Sequence, residues 1–270
     1  MTTEDEEAAE LMAKLGCDGD VESDEESEDM DPEEALEKFR RTVSISPDNC
    51  LDQIILGCSD LDKAVEDFEA MTGTKPVWVT SMNGAGTKSA RVAFESCAYL
   101  EIIGPDQPKQ TATAFSEALA KLPAGELVPC HYAIRLEKSK DLATRMGWKK
   151  LGLEYDQITM VAKDRGMGWL WDMYFIKGDG ITPFLTDWST HDSLHASAKL
   201  PICGTLTSVS VSAPAGHQVH KLLESPADLN LSEGSPNLTF VINTPKGSHT
   251  FSCSDPIGIS FPEEGGIEVK

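Results

Sequence analysis

From Leu51 to Gly104 the spacing of apolar residues changes period several times, and each period predicts an element. Leu51-Asp52-Gln53-Ile54-Ile55-Leu56-Gly57 is a short apolar run rich in β-branched residues that ends at a glycine, so it predicts a buried strand. From Ser59 to Gly73 the apolar residues Leu61, Ala64, Val65, Phe68 and Met71 fall at helical spacing, with Asp62, Glu66, Asp67 and Glu69 on the other side. Ser59 is placed to cap that helix with Asp62 as its N3 acid, and Gly73 suits the left-handed residue that closes it. Val77–Thr80 and Ala90–Phe94 alternate as strands around the turn-prone Asn83-Gly84-Ala85-Gly86. Tyr99–Ile103 is the next strand, halted by Gly104-Pro105. The order is β-α-β-β-β.

A connector (105–110) and a helix over Thr111–Leu122, ended by Pro123, lead to a second run of the same kind. Its strand is Cys130–Leu136, its helix Ser139–Met146, and Gln157–Ala162 and Trp169–Ile176 are strands around Asp164-Arg165-Gly166. Phe184–Trp188 closes it. A third, partial copy follows: strand Thr205–Val211, helix Ala215–Leu223, and a hairpin of Leu238–Asn243 and Ser248–Cys253. Recurrence of one chain order predicts a modular α+β domain. The last dozen residues are rich in proline, glycine and glutamate and are expected to fray.

These features carry a resemblance. The stretch LDQIILGCSDLDKAVEDFEAMTG, with GTKSARVAF and AYLEIIGPD after it, resembles the glyoxalase-like branch of the vicinal-oxygen-chelate superfamily. The likeness spans roughly residues 50 to 255. It implies paired βαβββ modules forming a cupped mixed sheet, often with a divalent metal inside the cup.

Charge separates the chain into unequal parts. Residues 1–37 hold 17 acidic side chains against Lys14, which leaves -6 of the formal net charge of -22 for the remainder. Self-repulsion and lack of apolar area predict a disordered acidic tail over 1–37, read as a solvated tail or as a docking segment for a basic protein. Asp31-Pro32 starts a short helix through Arg41, and residues 38–49 lead into the domain. Modules are expected at about 50–105, 128–190 and 204–255, with a tail over 256–270. No basic stripe is present, so nucleic acid is not an expected partner. No secretory or transit signal and no bilayer-length apolar run is seen, so no membrane is expected either. Seven scattered cysteines without a CxxC pair predict reduced thiols and a cytoplasmic or nuclear setting.

The candidate chemistry lies in polar residues inside apolar strands. Gln53 and Glu101 can point into the hollow of a barrel-like sheet, where an unpaired carboxylate is costly, and His131 sits one residue inside the matching strand. A divalent ion with oxygen and imidazole ligands would offset that charge, and such a set suits Zn, Ni, Mn or Fe. The resemblance sharpens this: glyoxalase I enzymes of eukaryotes take Gln, Glu, His and Glu from the first and last strands of the modules. Gln53, Glu101 and His131 match three of these, and Asp187, or Thr186, would be the fourth. Glu101, or the fourth carboxylate, would double as general base in a metal-dependent lyase, isomerase or dioxygenase.

A second reading keeps the cup free of metal. Glu101 would then be satisfied by Arg91 or Arg135, and Arg135 would clamp an anionic group of a small oxygenated molecule. Trp169 and Trp171 alternate on one strand face and could wall an apolar pocket, or simply pack in the core. His191 and His195 are expected on a polar surface loop. A third reading is a scaffold whose acidic tail engages a larger assembly, and a homodimer is a further candidate partner.

Overall fold

A computed structural model describes residues 51–79, 86–96, 98–106, 112–136, 147–149, 152–164, 167–188, 196–223 and 229–259. For residues 159–164 and 167–171 it describes the course of the backbone and no side chains. These residues belong to the compact unit Phe39–Lys270. The expected helices over Asp31–Arg41 and Ser139–Met146, and His191 and His195, lie outside the described residues.

The first run folds as β1 (Leu51–Gly57), α1 (Leu61–Thr72), β2 (Val77–Val79), β3 (Thr87–Ala93) and β4 (Tyr99–Pro105). Helix α2 (Ala114–Ala120) leads to β5 (Val128–Arg135), β6 (Tyr155–Asp164), β7 (Met167–Ile176) and β8 (Phe184–Trp188). The eight strands form one sheet in the order β2-β3-β4-β1-β5-β8-β7-β6. Each half repeats the same plan. β1 is parallel to β4, β5 is parallel to β8, and the halves join where β1 and β5 pair antiparallel.

The last run folds as β9 (Thr205–Ala213), α3 (Gln218–Leu222), β10 (Asn230–Glu233), β11 (Asn237–Thr244) and β12 (Gly247–Cys253). It keeps the chain order of the first run, but its sheet order is β10-β9-β11-β12, with its first strand inside rather than beside the last. Strand β10 has no signature in the sequence, because Asn230-Leu231-Ser232-Glu233 has one apolar residue and no alternation to announce it.

Alternation along the central strands sends side chains to opposite faces of the large sheet. Ile54, Leu56, Leu100, Ile102, Tyr132 and Ile134 share one face and pack with Leu61, Val65 and Phe68 of α1 and with Val211 and Phe240 of the small sheet. Ile55, Ile103, Ala133, Phe175 and Phe184 share the other, where Phe115 and Leu119 of α2 cover them. At that cover, a Cβ on Gly57 would run into Cys130 Sγ and come within 2.7 Å of Leu119, so glycine is required for α2 to approach.

Two local expectations need correction. Helix α1 is capped by Asp60, whose side chain accepts from the Lys63 amide, and not by Ser59. Asp62 stays in the first turn and pairs with Lys88 at 2.6 Å. Gly73 closes the helix as expected, at φ +84°. Strand β4 continues through Gly104-Pro105, which pair with Lys88 and Thr87, and does not stop before them. Proline is tolerated there because it ends the strand and its missing N–H costs no further ladder bond.

Candidate functional site

The face shared by Ile55 and Ala133 is where the resemblance places the inside of the cup. By strand alternation it also receives Gln53, Tyr99, Glu101 and Arg91 from the first half, and His131, Arg135 and Thr186 from the second. In register, Glu101 and His131 stand opposite Ile55 on its two sides, and Gln53 lies between Tyr99 and Ala133. The pairing of β1 with β5 slips between Leu51 and Gln53, leaving Asp52 as a bulged residue.

In the first half the polar groups satisfy one another. The Tyr99 hydroxyl donates to Gln53 Oε1. Arg91 lies over the Tyr99 ring, 5.2 Å from its centroid. Nη2 of the same guanidinium reaches both Glu101 oxygens, at 3.1 and 3.0 Å. Burial raises the Tyr99 phenol well above its ordinary value, against the pull of Arg91, so it stays a donor. Burial pulls Arg91 down, but the Glu101 carboxylate outweighs it and the guanidinium stays charged, its pKa raised. Arg91 Nε is buried with no hydrogen-bond partner among the described residues. Asp52 accepts from Trp188 Nε1 at 3.0 Å.

In the second half the backbone takes that role. His131 Nε2 meets the Thr182 carbonyl at 2.7 Å, and a carbonyl only accepts, so Nε2 carries the proton. Nδ1 is then the acceptor, and the Ile259 amide donates to it at 3.3 Å. The ring packs against Phe184 with centroids 5.1 Å apart. Burial pulls its pKa down to about 4, so the imidazole is neutral at neutral pH. Thr182 itself is fixed by a turn: Asp179 Oδ1 accepts from the amides of Ile181 and Thr182, and Gln218 of α3 donates to the Thr182 hydroxyl.

The structure therefore brings Gln53 and Glu101 into one linked set with Tyr99 and Arg91, and puts His131 on the same face under an apolar cover. Asp187 follows the other course. It shares the side of Leu185, which lies in the opposite core, and stands in register with Asp172. Thr186 points into the cup, where its hydroxyl reaches the Ile134 carbonyl at 3.5 Å. Arg135 is half-buried, opposite Thr186 in the β5–β8 ladder. The side chains of Trp169 and Trp171 lie outside the described residues. Arg91 and Tyr99 were legible as cup-facing positions once the strand parity was set. Asp52 was not, because only the bulge brings it toward Trp188.

As placed, these residues do not fit a divalent metal. Gln53 Oε1 accepts from Tyr99, both Glu101 oxygens face Arg91, and both His131 nitrogens are hydrogen-bonded. Among the described residues no group of three or more His, Cys, Asp or Glu side chains stands close enough together to hold one.

None of the curated protein sequences compared with the chain matches it. Among solved structures, a hypothetical protein from Staphylococcus aureus is similar at 14% identity and a TM-score of 0.49, covering 75% of this chain and 98% of its own. Methylmalonyl-CoA epimerase from Mycobacterium tuberculosis is similar at 18% identity and a TM-score of 0.33, over 51% of this chain and 85% of that one. The epimerase of Streptomyces coelicolor gives 21% and 0.34, over 52% and 97%. The family model described as a glyoxalase-like domain matches residues 51–226, well over half of the sequence. With the two-fold strand plan of the large sheet, that match shows that the chain belongs to the glyoxalase-like domain family of the vicinal-oxygen-chelate superfamily.

Proposed function

We propose that this protein binds a small oxygenated molecule on the polar half of the cup face, directly and without an intervening metal. The observation that carries this reading is the Gln53–Tyr99–Arg91–Glu101 chain. A charged pair and two neutral polar groups sit together on an apolar sheet face, and Arg91 keeps a buried N–H without a partner among the described residues. Such groups favour a ligand that offers carbonyl, hydroxyl or carboxylate oxygens, since each unmade buried bond costs free energy that a ligand oxygen would recover. Arg135, at the edge of the same face, is the proposed anion clamp, with Trp169 and Trp171 as proposed apolar walls. Asp52 and Glu101 offset Arg91 and Arg135 in formal charge, which suits a neutral or singly charged ligand over a polyanion.

With this reading go the division of the chain expected from its sequence and the assignment of residues 1–37 as a solvated acidic tail. A reducing, cytoplasmic setting is proposed on the thiols: Cys58, Cys130, Cys203 and Cys253 are free. Among the described residues no helix is long and apolar enough to cross a membrane.

The test combines metal analysis with a ligand screen. Protein prepared without a metal-carrying tag is expected to hold no stoichiometric metal, before or after Glu101→Ala. A screen of small hydroxy and oxo acids and polyols by ligand-observed NMR is expected to give binders that Arg91→Met weakens about tenfold, the loss of one charge-assisted hydrogen bond. One equivalent of metal in the parent protein, lost in Glu101→Ala, would overturn the proposal in favour of a metal-dependent lyase, isomerase or dioxygenase.

A further inference from the structure

The segment after β12 does not leave the domain at once. Pro256 is buried, and its carbonyl accepts from the Gly180 amide at 3.3 Å. The Gly258 amide donates to the Cys130 carbonyl at 3.2 Å, and the Ile259 amide to His131 Nδ1. Ile257 and Ile259 pack against the cluster of Ile55, Ala133, Phe175 and Phe184, which is the cup face itself. Two glycines make the approach feasible. A Cβ on Gly180 would stand 2.5 Å from the Cys130 carbonyl and 2.7 Å from the Pro256 carbonyl. Gly258 is at φ +69°, where a side chain is strained, and its own Cβ would stand 3.0 Å from the Gly180 amide.

We infer that Pro256–Ile259 is an intramolecular occupant of the second half of the cup, which must leave before any ligand can reach His131 and the apolar face around Phe184. The segment makes the contacts a bound peptide would make. It exchanges backbone hydrogen bonds with the turn at Gly180 and with Cys130 of β5, seats two apolar side chains, and uses one donor to fill the acceptor nitrogen of a histidine. A short segment kinked at Gly258 and held by three backbone donors and acceptors, with glycine on both sides of the contact, is a reversible closure. It couples the C-terminal stretch to access: while the segment is seated, only the polar half around Arg91 is open to ligand. The inference rests on reading this face as a ligand surface, but it does not require the ligand class proposed above.

The test uses the full chain in two variants. Ile257→Ser/Ile259→Ser removes the apolar anchors, and Gly258→Ala strains the kink and crowds Gly180. Hydrogen exchange at the Gly258 and Ile259 amides reports whether the segment is seated. Anilinonaphthalene sulfonate, which needs only an apolar surface, reports whether the face beneath is open. Both variants are expected to exchange at these amides more than about tenfold faster than the parent, the first through the loss of two half-buried isoleucines and the second through the strain of a side chain in left-handed backbone. They should bind one equivalent of dye that the parent does not, and a peptide of residues 254–259 should displace it. A cooperative thermal transition in each variant separates a bared face from a loosened core. Faster exchange without dye binding, or dye that the peptide leaves in place, overturns the inference, and so does unchanged exchange in both variants. Ligand binding that depends on Arg91 is measured separately on the parent protein, so failure of the small-molecule reading and failure of this one give different results.

Discussion

Gln53 and Glu101 in the first half of the large sheet and His131 in the second are all polar residues set into apolar strands. The two halves satisfy them by opposite means. In the first, side chain answers side chain: tyrosine for glutamine, arginine for glutamate. In the second, the partners are a backbone carbonyl and a backbone amide from two other segments, and an apolar cluster closes around the ring. The Arg91 guanidinium stays charged and keeps a donor over, so it can hand a hydrogen bond to a ligand. A neutral imidazole with both nitrogens filled has nothing left to offer. The same strand plan thus yields one half suited to recognition and one half suited to closure.

The contrast can be broken most severely at Arg91. Arg91→Met leaves Glu101 buried without its counter-charge, and is expected to cost about 3–5 kcal/mol in chemical denaturation. The lower end is the better expectation, because 21% of the Arg91 side chain reaches solvent. Adding Glu101→Gln should return most of that loss. If the double variant is no more stable than the single one, the pair is not what holds the first half.

The second half should respond to acid instead. The folded His131 pKa of about 4 lies below its ordinary value of 6.5, so between these limits the unfolded chain binds the extra proton. Stability from this group is therefore complete above pH 6.5 and is lost as pH falls toward 4, by up to about 3 kcal/mol. Denaturation midpoints at pH 7 and pH 5 measure the slope, and His131→Gln should flatten it. Gly57→Ala tests the cover over this half: the added methyl meets Cys130 and Leu119, and overpacking of this kind costs about 1–3 kcal/mol. Thermal melting that is unchanged would mean that α2 gives way freely. The smallest effect is expected from Tyr99→Phe, which keeps the ring under Arg91 and deletes the bond to Gln53, for about 1 kcal/mol. A larger loss would show that the hydroxyl organises the whole polar half.

Much of this architecture was legible before any coordinates. The stripe of Leu61, Ala64, Val65 and Phe68 fixed α1 to within a residue, and the parity of Leu51–Gly57 put Gln53 and Ile55 on one face. The cap was misplaced by one residue because Ser59 and Asp60 are both good acceptors, and only the chain's exit from β1 decides which meets the Lys63 amide. Gly104-Pro105 looked like a stop and is strand, because β3 continues beside it. The candidate site was legible as positions. Its partners were not: nothing local says that Glu101 faces Arg91 and not Arg135, or that His131 meets Ile259.

The order of elements, their faces and the polar residues among them followed from the sequence alone, because periodicity is set by neighbours a few residues apart. Which groups those polar residues bond to was decided by the fold. Gln53 finds Tyr99 across 46 residues and His131 finds Ile259 across 128, and at those separations strand order, a bulge and two glycines choose the partner.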